Sequence, residues 1–269
     1  MKRLLKNKKT VTAISAIILG CVLFAGARFG LNAIYIPVIL MYHSVQEEDN
    51  PLSDYKGKLN VTPEVFRKQM KFLKDHEYTV IPLEEFAEKI KSGEKIPPKT
   101  VAITFDDGLK NNLQNACPVL RKYGFPATIF VAVNFVGGRD FMTWDQINTL
   151  DKDLITIGSH SVCHYWMTHL DDERLERELA GSRRVLEEMT GREIKIFSYP
   201  LNDFDERCEK AARGAGYIAA VASSTGMENS YKNPYALKRV RISMTSENPV
   251  VFRIQTSGYY SFIQDLRDD

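Results

Sequence analysis

The stretch TVAITFDDG, Thr100 to Gly108, runs from six uncharged residues straight into two aspartates and a glycine. Six such residues without helical periodicity read as a buried strand. The run is continuous rather than alternating, as expected of a strand covered on both faces in a parallel sheet. Working outward, comparable runs recur at Pro37–Tyr42, Ala127–Val133, Ile155–Gly158, Ile194–Tyr199, Tyr217–Ala222 and Val240–Met244. Helix signals fall between them. Thr62-Pro63-Glu64 opens a helix with Phe66, Met70 and Leu73 on one face, and Thr followed by Pro is a favoured start. Asn111–Tyr123 ends at Gly124, Thr143–Leu150 is opened by Thr143, and Asp171 or Asp172 caps a long helix to about Thr190, with Gly191 as its stop. Glu206–Arg213 is the last of them. Repeated alternation predicts an α/β fold with a parallel sheet, open or closed into a barrel. No internal repeat or low-complexity tract interrupts it, and residues 31–269 read as one domain behind an N-terminal extra at 1–30.

The composition, 44% hydrophobic and 26% charged, is that of a globular chain and argues against disorder. The net charge of +2 conceals an asymmetry. Residues 1–30 carry Lys2, Arg3, Lys6, Lys8, Lys9 and Arg28 and no acid, leaving −4 on the rest. A mildly acidic body gives no case for nucleic-acid binding, and no protein partner is implied. Cys21, Cys117, Cys163 and Cys208 have the spacing of neither a zinc ribbon nor a CxxC redox motif. The last three are expected to be packing residues.

Val11–Ala27 is a 17-residue stretch without charge behind the basic run MKRLLKNKK. As a helix it just reaches across a bilayer core of about 30 Å. The cluster should stay on the cytoplasmic side, placing the body outside as a single-pass membrane protein. Two other readings export the body equally. Ala25-Gly26-Ala27 suits signal-peptide cleavage, and Ile18-Leu19-Gly20-Cys21 resembles a lipobox.

In α/β barrels the C-terminal strand ends carry the chemistry. Here they carry Tyr42-His43-Ser44, Asp106-Asp107-Gly108, Ser159-His160-Ser161 with His164 four residues after His160, and Tyr199-Pro200. Two histidines and a carboxylate form a common catalytic metal set with positions left open. Adjacent aspartates on a strand end diverge, so one can ligate metal while the other stays free as a base. Gly108 permits a sharp turn. Taken singly, each has a blander reading: DDG as a turn or cap, and HxxxH as coincidence.

Together, TFDDG at Thr104–Gly108 and IGSHSVCH at Ile157–His164 resemble the polysaccharide deacetylases of the NodB-homology type, carbohydrate esterase family 4. PVILMYHSV at Pro37–Val45 resembles the opening strand of the branch containing poly-N-acetylglucosamine deacetylases. YGFPATIFV (Tyr123–Val131), MTWDQI (Met142–Ile147) and FSYP (Phe197–Pro200) extend the resemblance over about residues 37–245. It implies a distorted (β/α)7 barrel and a divalent metal, most often zinc, held by Asp107, His160 and His164. It implies Asp106 as the general base toward a metal-bound water. The oxyanion would be met by the metal and the Leu201 backbone amide, with Tyr199 and Pro200 beside the substrate. Two departures stand out. Many relatives carry an arginine in contact with the base two residues before that proline, where this chain has Ser198. They also carry an aromatic residue after it, where this chain has Leu201.

The family's common general acid is a histidine from a C-terminal motif, yet no histidine follows His169. With His160 and His164 given to the metal, His43, His76 and His169 remain. Only His43 directly follows a buried strand, and in the branch resembled its counterpart looks like the acid. Cys163 within the HxxxH loop is read as a bystander. Trp144 and Trp166 are either core or sugar-stacking residues. The function expected is hydrolysis of N-acetyl groups on a cell-surface polysaccharide. The alternatives are a deacylase of peptidoglycan, chitin oligomers or acetylxylan, and a non-catalytic wall-binding protein on the same fold.

Overall fold

The computed structural model describes residues 35–47, 59–223 and 233–260. The expectations for residues 1–30 lie outside the described residues. Among these, no helix is long and apolar enough to cross a membrane.

The strands are β1 (Val38–Tyr42), β2 (Ser44–Val45), β3 (Asn60–Val61), β4 (Thr79–Val80), β5 (Thr100–Phe105), β6 (Ala127–Val131), β7 (Ile155–Ser159), β8 (Ile196–Ser198), β9 (Ala219–Ala222), β10 (Leu237–Lys238) and β11 (Val240–Arg241). The main sheet runs β10-β9-β8-β7-β6-β5-β1-β11, with β4 also on β5, and every pairing is parallel. Only Arg239 separates β10 from β11. One short segment, Leu237–Arg241, therefore pairs with β9 on one side and β1 on the other. This closes the sheet into a nearly complete parallel barrel.

Side-chain parity separates two cores, because successive residues of a strand face opposite ways. Leu40, Tyr42, Val101, Ile103, Phe105, Ile129 and Ile157 join helix residues such as Phe66, Met70, Leu120 and Leu179 in an outer cluster. Ile39, Ala102, Phe130, Ile196, Val221 and Leu237 form an inner one, with Leu83, Phe86 and Ile90 of the helix Leu83–Ser92 packed among them. Phe130 lies so close over Gly158 that a Cβ there would meet its ring. The same inward parity, carried to the strand ends, gives His43, Asp106, His160, Ser198 and Arg239.

The helices follow their sequence signals. Thr62 accepts the Val65 amide, Thr143 and Gln146 form a reciprocal capping box, and Asp171 accepts the Arg174 amide. Gly124 and Gly191 end helices in left-handed conformations. Three expectations change. The final strand is two short pieces flanking Arg239, and Met244 begins a 3-10 turn instead of ending a strand. The helix expected at Asn111–Tyr123 starts with a π turn, Asn112–Ala116. The long helix from Asp172 to Thr190 contains another, Arg177–Gly181.

Candidate active site

The C-terminal mouth of the barrel holds a cavity of about 420 Å³ whose lining includes His43, Asp106, Asp107, His160, His164, Tyr199 and Leu201. Every expected site residue except Pro200 contributes to its wall.

Asp107 leaves β5 with φ 74° and Gly108 follows at φ 72°. A Cβ on Gly108 would crowd the Val131 side chain at 3.3 Å, so both space and the left-handed dihedral favour glycine there. This turn sends Asp107 toward the histidines while Asp106 keeps the inward direction of the strand. Asp107 Oδ1 lies 3.5 Å from His160 Nε2 and 3.6 Å from His164 Nε2. One ligating atom from each residue lies within 4.8 Å of the others. His160 Nδ1 is 2.8 Å from the Ser198 carbonyl. A carbonyl only accepts, so the proton sits on Nδ1 and the Nε2 lone pair faces Asp107. Burial, reinforced by neighbouring His160, lowers the His164 pKa against the pull of Asp107. A neutral imidazole is the ligating form.

Asp106 is not the free carboxylate that strand divergence suggested. Both its oxygens accept from the Arg239 guanidinium at 2.7 Å, and both partners are buried. Arg239 also donates to Thr104 Oγ1, Ser198 Oγ and the Ala222 carbonyl, and it lies over the Phe130 ring. Burial alone would raise the Asp106 pKa. The Arg239 charge overrides it and holds the group well below the usual carboxylate range. The arginine missing at Ser198 is thus supplied from the closing segment, against the Ser198 hydroxyl itself. Arg239 was legible only as inward parity counted from Leu237, and a strand taken to begin at Val240 leaves it out.

His43 follows β1 on the same inward parity. Its carbonyl accepts from Asn112 Nδ2 at 2.7 Å. Its ring Nδ1 is buried and has no hydrogen-bond partner among the described residues. Burial lowers its pKa most, while Asp106 and Asp107 oppose that shift. His76 and His169 are exposed, with His76 Nδ1 on the Phe72 carbonyl and His169 under Trp166.

Beyond β8, Leu201 and Asn202 adopt φ of 57° and 59°. The Tyr199 hydroxyl donates to the Tyr235 carbonyl and its ring stacks on Phe204, so it forms wall rather than a free polar group. Cys163 is outside the ligand cluster, its Sγ accepting from Asn134. Cys163 and the buried Cys117 and Cys208 are free thiols. Trp166 is half-exposed, whereas Trp144 packs against the core.

The family model for polysaccharide deacetylases matches residues 93–220. The Bacillus subtilis (strain 168) protein YxkH, whose name places it among polysaccharide deacetylases, is 34% identical over 205 residues, covering 76% of this chain and 71% of that one. The chain belongs to the polysaccharide deacetylase family. A second relative of this deacetylase is the poly-β-1,6-N-acetyl-D-glucosamine N-deacetylase of Staphylococcus epidermidis, 37% identical over 122 residues, 42% of this chain and 40% of that one. Among solved structures, the Streptococcus pyogenes deacetylase PplD in complex with acetate superposes with a TM-score of 0.73 at 25% identity, covering 83% of this chain and 98% of that one. As a family member, the protein is an enzyme that acts on polysaccharide.

Proposed function

We propose that this deacetylase hydrolyses N-acetyl groups on an N-acetylhexosamine polymer at the cell surface, with a divalent metal held by Asp107, His160 and His164. The observation that carries the reading is the convergence of those three side chains beside Asp106 and His43 in one cavity. The donor set fits a cation. His160 presents Nε2 with its tautomer fixed from behind, and two neutral imidazoles with one carboxylate suit zinc. When bound, such a cation would lower the pKa of a water and polarise the acetyl carbonyl.

The chain's own groups supply the rest. Asp106, kept ionised and oriented by Arg239, accepts the proton of the attacking water. His43 sits in the same cavity and, once protonated from solvent to its imidazolium form, hands that proton to the departing amine and returns to the neutral ring. Negative charge building on the substrate oxygen raises the affinity of its ring for that proton. The left-handed turn at Leu201 is where a backbone amide would meet the oxyanion. The S. epidermidis relative favours poly-N-acetylglucosamine as the substrate. The complete set Asp106, Asp107, His160 and His164 speaks against a non-catalytic wall-binding role. The basic cluster and the uncharged Val11–Ala27 support a membrane anchor at 1–30, with residues 31–269 as an extracytoplasmic catalytic domain.

An acetate-release screen tests this across poly-N-acetylglucosamine, peptidoglycan, chitin oligomers and acetylxylan, with and without a chelator. Release from poly-N-acetylglucosamine that stops on chelation and returns with zinc is expected. Release that survives exhaustive chelation would overturn the metal assignment, and silence on every polymer would overturn the catalytic one.

A further inference from the structure

The loop that carries the two histidines is held in a shape its own residues do not favour. Ser161 has φ 65° and His164 φ 58°. Neither is glycine, and left-handed backbone costs such residues about 1–2 kcal/mol each. Conformations of this kind persist where the surroundings enforce them. The Ser161 and Val162 carbonyls accept the Val133 and Asn134 amides at 3.1 and 2.9 Å, and the His164 amide donates to Ser161 Oγ at 2.9 Å. The two amides between the left-handed residues, those of Val162 and Cys163, both donate to Glu178 Oε2 at 2.8 Å.

Glu178 is an unusual residue to find there. It is only 6% exposed, and its Oε2 accepts two backbone amides, with the Cys163 thiol as a further hydrogen-bonding neighbour. Burying a carboxylate is costly unless hydrogen bonds or charge offset it. It lies in the π turn Arg177–Gly181, where Glu178 and its neighbour Leu179 are both buried. π turns inside α-helices recur at functional sites. A charged acceptor strengthens such hydrogen bonds about twofold over a neutral one.

We propose that Glu178 is a positioning residue: its carboxylate clamps the Val162–Cys163 peptide so that His164 meets the same cation as Asp107 and His160. It stands outside the Asp107, His160 and His164 cluster and acts through the loop. His160 depends on it less, because its ring is anchored separately on the Ser198 carbonyl. The inference rests on Asp107, His160 and His164 holding a cation, as argued under the proposed function.

The test uses the full chain stripped of metal, with zinc affinity read by competition against a chromogenic chelator. Glu178→Met fills a similar volume without an acceptor. Glu178→Gln keeps one oxygen for the two amides. The Met variant should bind zinc ~10–100-fold more weakly, the usual scale for losing a group that orients a ligand. The Gln variant should recover most of that loss. With cobalt substituted, the Met variant should show a changed visible spectrum, a readout that a role confined to stability would leave alone. If Met does not fold by circular dichroism, Glu178→Asp replaces it, being too short to reach both amides. A folded Met or Asp variant with wild-type zinc affinity and cobalt spectrum would overturn the proposal. So would a Gln variant as weak as Met, since charge and not the amide clamp would then matter. If the wild-type chain binds no zinc, the metal site falls and this inference with it, a failure visible before any variant is made.

Discussion

Two segments at the barrel mouth, Tyr42–Gln46 and His160–His164, are built alike and finished differently. Each is gripped from a π turn. Asn112 and Asn115 of the first turn donate to the His43 and Val45 carbonyls, and neighbouring Asn111 accepts the Val45 amide. Glu178 of the second turn takes the Val162 and Cys163 amides. Both backbones are thereby fixed. The rings are not treated alike: His160 has its far nitrogen bonded to the Ser198 carbonyl, whereas the buried Nδ1 of His43 has no partner among the described residues. A metal ligand needs one tautomer in one orientation, and a hydrogen bond behind the ring enforces both. A proton carrier must exchange protons, and a bonded Nδ1 would favour one protonation state over the other. The difference in anchoring thus follows the difference in assigned role.

The comparison breaks most visibly if the two segments respond alike to loss of a ring. His164→Ala should lose both bound metal and at least ~1,000-fold in acetate release, because the proposed cation would both activate the water and polarise the acetyl carbonyl. Metal analysis alongside turnover checks it. Asp106→Asn comes next, with metal retained and turnover down at least ~100-fold. It should also destabilise the fold by about 3–5 kcal/mol, since Arg239 is left buried without its counter-charge. Pairing it with Arg239→Met should restore most of the stability in denaturant titrations and none of the activity. His43→Ala should keep its metal and its fold and lose about 100-fold in turnover. Full activity in that folded, metal-loaded variant would end the parallel between anchoring and role.

The smallest effect concerns pH. The folded-state pKa of His43 is lowered, so the unfolded chain binds its proton more readily. The stability this adds is present above the unfolded value of about 6.5 and is lost as pH falls through it. His43→Gln should therefore flatten the decline in melting temperature of the metal-free protein between about pH 7 and 5. The lowered pKa of His164 leaves a residual slope in both proteins.

Much of this architecture was legible because it depends on local pattern. The apolar runs ending at Tyr42 and Phe105 are strands, and Asp106, Asp107, His160 and His164 stand where barrel strands deliver side chains. What escaped depends on distant partners. Arg239 bonds to Asp106, 133 residues earlier in the chain, and nothing in Leu-Lys-Arg-Val-Arg marks which cation turns inward until the strand start is known. The helix Leu83–Ser92 begins at Pro82 without a side-chain cap, so its entry signal is weak. The π turns have no signature of their own. They put Asn112 and Glu178 in reach of loops that only the folded barrel brings near.

The Leu237–Arg241 segment both closes the barrel and carries the counter-charge of Asp106. Asp106 is made early as the chain grows and Arg239 late. Until the closing segment docks, the inner face of the barrel holds an unbalanced carboxylate and an open seam. A chain broken off before Leu237 would thus lack more than a strand: it would carry an internal mark of incompleteness, a charge that disfavours burial of the very face that has to close. Sealing of the sheet and arming of the proposed base become one event.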